Sequence, residues 1–94
     1  MKVLANDGLA KSGIEALEVA GFEVDLTTVA QDQLATYINN NKIVVLLVRS
    51  ATKVRREIID NCPTLKIIGR GGVGMDNIDV EYAREKGLKV INTP

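Results

Sequence analysis

No histidine occurs in this chain of 94 residues, and it holds one cysteine, no tryptophan and one phenylalanine. The missing histidines exclude imidazole acid–base catalysis, histidine-activated nucleophiles and histidine-ligated metals within these residues. With Cys62 as the sole thiol, a zinc cage would have to be built from carboxylates, so no metal site is expected. Cys62 cannot pair within the chain and suits a reducing compartment, the cytoplasm. An excess of one charge is also lacking, because twelve Lys and Arg balance twelve Asp and Glu. Without a basic surplus, counterion release cannot drive binding to nucleic acid or an anionic membrane. No apolar run approaches the roughly 18 residues of a membrane span. What remains is 46% hydrophobic but only 3% aromatic, an aliphatic chain of one small domain's length.

The hydrophobic residues come in a rhythm. Val3-Leu4-Ala5, closed by Asn6-Asp7-Gly8, reads as a strand and turn. Leu9 to Ala20 carries Ile14, Leu17 and Ala20 at helical spacing; Ser12-Gly13-Ile14-Glu15 fits a capping box, so the helix starts at Ser12 or one turn earlier, and Gly21 fits a stop. Phe22 to Leu26 alternates as an edge strand should, and Gln31 to Asn39 reads as a helix with Leu34, Tyr37 and Ile38 inward. Ile43 to Val48 is an unbroken aliphatic run, the mark of a strand buried on both faces. Val54, Ile58 and Ile59 mark a short helix ended by Pro63, Leu65 to Ile68 a fourth strand, Val80 to Lys86 a fourth helix and Leu88 to Ile91 a fifth strand. Strands alternating with helices predict an α/β fold: a flavodoxin-like, doubly wound parallel sheet of five strands, order 2-1-3-4-5, with four helices. A doubly wound domain usually follows its last strand with a helix, whereas here Asn92-Thr93-Pro94 closes the sequence. The expectation is a segment of a longer protein whose uncovered sheet face, including Val3, Leu88 and Val90, self-associates.

In a parallel sheet ligands gather at the carboxyl ends of the strands. Those ends carry Asn6-Asp7-Gly8, Arg49-Ser50, Arg70-Gly71-Gly72-Val73-Gly74 and Asn92-Thr93. Glycines let successive backbone N–H groups point into one concavity, and arginine offers a planar fork to carboxylate or phosphate. Together they describe a pocket for a small, doubly anionic ligand, with Lys53 near enough to add positive potential. Gly69 to Gly74 also spells G-x-G-x-x-G after a strand. Met75-Asp76-Asn77-Ile78-Asp79 intervenes before the next helix, however, and sets carboxylates where a pyrophosphate would lie, so the motif reads as a decoy. Asp76, Asn77 and Asp79 read as turn and cap residues of the fourth helix, Lys53, Arg55 and Arg56 with Glu57 as a solvated helix face, and Cys62 as a helix-end residue.

Val48-Arg49-Ser50-Ala51-Thr52-Lys53-Val54, the run Leu65 to Asp79, Lys86-Gly87 and Val90-Ile91-Asn92-Thr93-Pro94 resemble the N-terminal part of the NAD-dependent D-2-hydroxyacid dehydrogenases. The Arg-Ser-Ala-Thr-Lys-Val run points to the branch acting on 3-phosphoglycerate. The resemblance implies a two-lobed parent enzyme, a homo-oligomer, in which this segment belongs to the substrate-binding lobe and the Rossmann lobe lies elsewhere. It implies that Gly72, Val73 and Gly74 offer N–H groups to the substrate carboxylate, with Val73 beside the nicotinamide of NAD. It further implies that Arg49, Ser50 and Arg70 serve the phosphate end, and that no catalytic residue lies in this segment. The implied reaction is reversible oxidation of 3-phospho-D-glycerate to 3-phosphohydroxypyruvate, opening serine biosynthesis; the segment alone would be inactive. Another D-2-hydroxyacid dehydrogenase is one alternative. A receiver or flavodoxin-like binding module is the other, although Val48-Arg49-Ser50 has the wrong charge for a magnesium-dependent phosphoacceptor site.

Overall fold

The computed structural model describes residues 1–71 and 76–93. Strands β1 (Lys2–Ala5), β2 (Glu23–Asp25), β3 (Ile43–Val48), β4 (Ile67–Gly71) and β5 (Lys89–Thr93) alternate with four helices. These are α1 (Lys11–Val19), α2 (Leu34–Asn40, entered through a 3-10 turn at Gln31–Gln33), α3 (Arg56–Asn61) and α4 (Val80–Glu85). All neighbouring strands run parallel, in the order β2-β1-β3-β4-β5. The flavodoxin-like order is therefore the observed one. The aliphatic run of β3 lies at the middle of the sheet, and the short, alternating β2 lies at its edge.

One face of the sheet carries the main core. Leu4, Leu46, Ile68 and Val90 pack with Leu34 and Ile38 of α2, Ile58 and Ile59 of α3 and Ala83 of α4. The other face, set by the register Val3–Val45–Ile67 and Leu47–Gly69–Ile91, is more thinly covered, and α1 buries none of its residues fully. The expected bare positions are nonetheless wrong. Val3 is fully buried because β1 is an interior strand, Val90 faces the three-helix core and Leu88 is half-buried. The aliphatic that β5 does expose is Ile91, at 41%, on the opposite face. Leu47 and Ile91 close over Gly69 there, where a Cβ would meet Leu47 Cδ2 at 2.7 Å.

The capping box of α1 and the start of α3 differ from the sequence reading. Helix α1 begins at Lys11 with Ala10 as its N-cap and no side-chain cap, so Ser12 lies inside the helix and the capping box does not form. Leu9 folds back against Gly13, whose missing Cβ leaves it room, and this fixes the entry earlier. Val54 lies outside α3: it forms a parallel bridge with Ile78, receiving Asp79 N–H at 2.9 Å and donating its own N–H to the Asn77 carbonyl at 2.8 Å. Gly21 and Gly87 close α1 and α4 at φ of +94° and +86°, the left-handed backbone that glycine adopts without strain.

Candidate functional site at the carboxyl edge of the sheet

The loops that follow β1, β3 and β4 meet at the carboxyl edge through polar side chains rather than apolar packing. Asn6, 3% exposed, donates to the Val29 carbonyl and to Thr52 Oγ1 and accepts the Val29 N–H at 2.6 Å. The neighbouring Asp7 carboxylate accepts three hydrogen bonds from the loop after β3: Arg49 N–H at 2.7 Å, Thr52 N–H at 3.1 Å and Thr52 Oγ1 at 2.6 Å. That loop aims its donors at one anion, and the chain supplies the anion itself. Asp7 is thus committed to holding the loop, which removes the acidic group a phosphoacceptor site would need.

Asn77 joins the loops after β3 and β4. Its amide nitrogen donates to the Arg49 and Thr52 carbonyls, at 2.5 and 2.6 Å, and its oxygen accepts from Arg70 Nε at 2.8 Å. Expected to hold a turn at its own helix, Asn77 instead reaches across to β3 and β4, because the Val54–Ile78 bridge brings its side chain under the loop. Asp79 departs from expectation in the same way. It makes no cap hydrogen bond to α4; its carboxylate accepts the Arg56 N–H that opens α3 and pairs with Arg55 at 3.1 Å. Arg55 also donates to the Asp76 carbonyl, and the Arg56 guanidinium lies 4.8 Å from the Tyr82 ring centroid, so neither arginine is simply a solvated face residue.

Above this framework lies an open cleft of about 320 Å³ lined by Ser50, Lys53, Arg55, Arg70, Asp76 and Asn77. Ser50 and Arg70 from the sequence reading therefore share one cavity. Arg49 is exposed beside it and not part of its lining. Lys53 is held by Gln31, whose side-chain amide exchanges two hydrogen bonds with the Lys53 backbone. Lys53, Arg55 and Arg70 line the cleft with Asp76, and because Arg55 is paired with Asp79 the lining keeps a modest excess of positive charge, the sign a small anion requires. Gly72, Val73 and Gly74 lie outside the described residues.

Sequence reasoning did not find the tying roles of Asn6, Asp7, Thr52 and Asn77. The available signal was only that small polar residues occur near strand ends, where the chain must be anchored, and it named no partners.

A dinucleotide does not fit the described residues. Strand β4 runs through Gly71 and the next described helix, α4, opens only at Val80, after Asp76 and Asp79, so among the described residues no helix N-terminus directly follows β4 to hold a pyrophosphate. Among the described residues, no group of three or more His, Cys, Asp or Glu side chains is placed to hold a metal ion. No described helix is long and apolar enough to cross a membrane. Cys62 is buried at the end of α3, near the opposite edge of the sheet, and burial pushes its thiol pKa up to about 11, so it is no nucleophile.

Residues 3–94 match the family model of the D-isomer specific 2-hydroxyacid dehydrogenase catalytic domain. The chain is 46% identical, over all its length, to a D-3-phosphoglycerate dehydrogenase of Methanocaldococcus jannaschii, of which it covers 18%. It is equally 46% identical to a hydroxypyruvate reductase of Thermotoga maritima, covering 99% of this chain and 30% of the relative. Among solved structures it superposes with a TM-score of 0.82 and 32% identity on an NAD+-bound 3-phosphoglycerate dehydrogenase of Entamoeba histolytica, covering 100% of this chain and 33% of that one. The chain thus spans between about a fifth and a third of these relatives. Its sheet order, its Arg-Gly-Gly-Val-Gly sequence and a family match across nearly every residue agree: the chain belongs to the D-isomer specific 2-hydroxyacid dehydrogenases.

Proposed function

We propose that this segment is the substrate-recognising part of an NAD-dependent enzyme that oxidises 3-phospho-D-glycerate to 3-phosphohydroxypyruvate. The observation that carries the reading is the cleft in which Ser50, Lys53 and Arg70 converge beside Arg49. A guanidinium, an ammonium and a hydroxyl form a donor set for a phosphate dianion, set against the single carboxylate of Asp76 in the lining. The resemblance assigns the substrate carboxylate to Gly72, Val73 and Gly74, with Val73 beside the nicotinamide. The segment holds no histidine, and its described residues build no dinucleotide site. Its contribution is to bind and orient the substrate's two anionic ends, and the 94-residue chain alone should turn over nothing. The T. maritima relative favours a second reading, a reductase of unphosphorylated hydroxypyruvate.

Kinetics of a complete dehydrogenase carrying this segment separate the two readings. A charge-assisted contact contributes about 1.5 to 3 kcal/mol, so Arg70→Ala or Arg49→Ala should raise KM for 3-phosphoglycerate about tenfold or more. KM for D-glycerate, which lacks the phosphate, should change less than about threefold on the same reasoning. Equal losses on both substrates would make the arginines structural. A wild-type preference for the unphosphorylated pair would establish the reductase reading.

A further inference from the structure

We propose that Asn77 is the positioning residue of this cleft: its side-chain amide locks Arg70 and the Arg49–Thr52 loop into the single arrangement that faces a phosphate. The inference rests on the phosphate reading above and adds a residue to it.

The chemistry of the three partners fixes the orientation of the amide. The Arg49 and Thr52 carbonyls can only accept, and a guanidinium can only donate, so the NH2 group must face the loop and the oxygen must face Arg70. Asn77 is 6% exposed, so water cannot stand in for these bonds. A carboxylate at this position would set an oxygen against two carbonyls. An aliphatic side chain would leave two acceptors and one donor without Asn77's bonds.

The amide is held in turn by rigid backbone. The Asn77 carbonyl accepts the Val54 N–H, and Ile78 forms the bridge to the fully buried Val54. Val54 lies four residues beyond Ser50, on the segment whose loop the amide grips from below. Strand pairing already sets Val48 opposite Arg70, and the amide then places the loop that carries Ser50 relative to the Arg70 side chain. The bond at Nε, together with the one Arg70 Nη1 donates to the Gly71 carbonyl at 3.3 Å, orients the Arg70 guanidinium, and a fork must be aimed to bind phosphate through two oxygens.

The test is steady-state kinetics of the complete dehydrogenase with 3-phosphoglycerate and with D-glycerate, for Asn77→Asp, Arg70→Lys, Arg70→Ala and the core control Ile38→Val. Asn77→Asp should raise KM for 3-phosphoglycerate about tenfold, with kcat and KM for D-glycerate within about threefold of wild type. Ile38→Val should lower the melting temperature while leaving both KM values unchanged, which separates positioning from general loosening. Arg70→Lys keeps the charge without the Nε–H, so it should lose as much as Arg70→Ala; this variant carries the test if Asn77→Asp does not fold. Wild-type KM in Asn77→Asp or in Arg70→Lys, alongside a raised KM in Arg70→Ala, would overturn the positioning role and leave the phosphate reading standing. An unchanged KM in Arg70→Ala would overturn the phosphate reading and the positioning role with it.

Discussion

Removing the Asp7 carboxylate should loosen the carboxyl edge of the sheet more than its half-exposed position suggests. Asp7→Ala deletes three hydrogen bonds, and their environments differ. Arg49 is exposed, so water can replace the partner of its N–H almost without loss. Thr52 is 3% exposed: its N–H loses its acceptor, and its hydroxyl keeps only the bond it receives from Asn6. Each buried donor left unsatisfied costs about 1–3 kcal/mol, which gives about 2–4 kcal/mol in all after some solvent entry. That is a large share of the roughly 5–15 kcal/mol by which small domains are stable. At about 4–8 °C per kcal/mol for a chain of this size, the melting temperature should fall by at least about 8 °C. Asp7→Asn should recover no more than half, since it presents an NH2 group to donors. Thermal unfolding followed by far-ultraviolet circular dichroism reads both variants. A loss below about 0.5 kcal/mol, the range of ordinary surface substitutions, would refute the claim that Asp7 anchors the loop.

Two further predictions concern titratable groups away from the cleft. Burial alone would raise the pKa of Asp25, but the bond from the Tyr37 hydroxyl, those from Thr27 and the charge of Lys2 outweigh it and hold the carboxyl below 3.8. A depressed folded pKa stabilises the fold at all pH values above the unfolded pKa, and this stability is lost as pH falls through the folded value. Denaturant titration should accordingly find Asp25→Asn less stable than wild type at pH 7, with the gap closing only below 3.8; a gap independent of pH would refute the assignment. Cys62, with its thiol pKa pushed up to about 11 and 2% exposed, should react with an aromatic disulfide at pH 8 only after unfolding, and native labelling at the rate of a free thiol would contradict its placement.

The architecture was legible because it rests on periodicity that a single sequence displays. The run Ile43–Val48 became β3 residue for residue, and the alternating segment around Val24 became the edge strand. Gly21 and Gly87 marked two helix ends because positive φ leaves few other residue choices. The errors fall where tertiary contacts outrank local pattern. Val54 has helical spacing to Ile58, yet it pairs with Ile78, a partner 24 positions away that no local window contains. Ser12 matched a cap motif, but Leu9 packing on Gly13 decided the helix start. The self-association surface was drawn through Val90 when its neighbour Ile91 is the exposed one, because which face of β5 meets the helices is set by pairing with β4. At the cleft, Ser50 and Arg70 were visible as strand-end residues, whereas the hydrogen-bonded lattice of Asn6, Asp7, Thr52 and Asn77 was not. Its bonds join positions 7, 25, 28, 45 and 46 residues apart, and small polar residues in turns give no hint of such partners.

The central claim is that the cleft at the carboxyl edge receives the phosphate of the substrate. A crystal structure of a complete dehydrogenase carrying this segment, with 3-phosphoglycerate bound, tests it most directly. The account predicts phosphate oxygens within about 3 Å of the Arg70 guanidinium and Ser50 Oγ, with the Asn77 amide still bridging Arg70 to the Arg49 and Thr52 carbonyls. A phosphate held wholly by residues outside this segment, with the Ser50–Arg70 cleft holding only solvent, would contradict it.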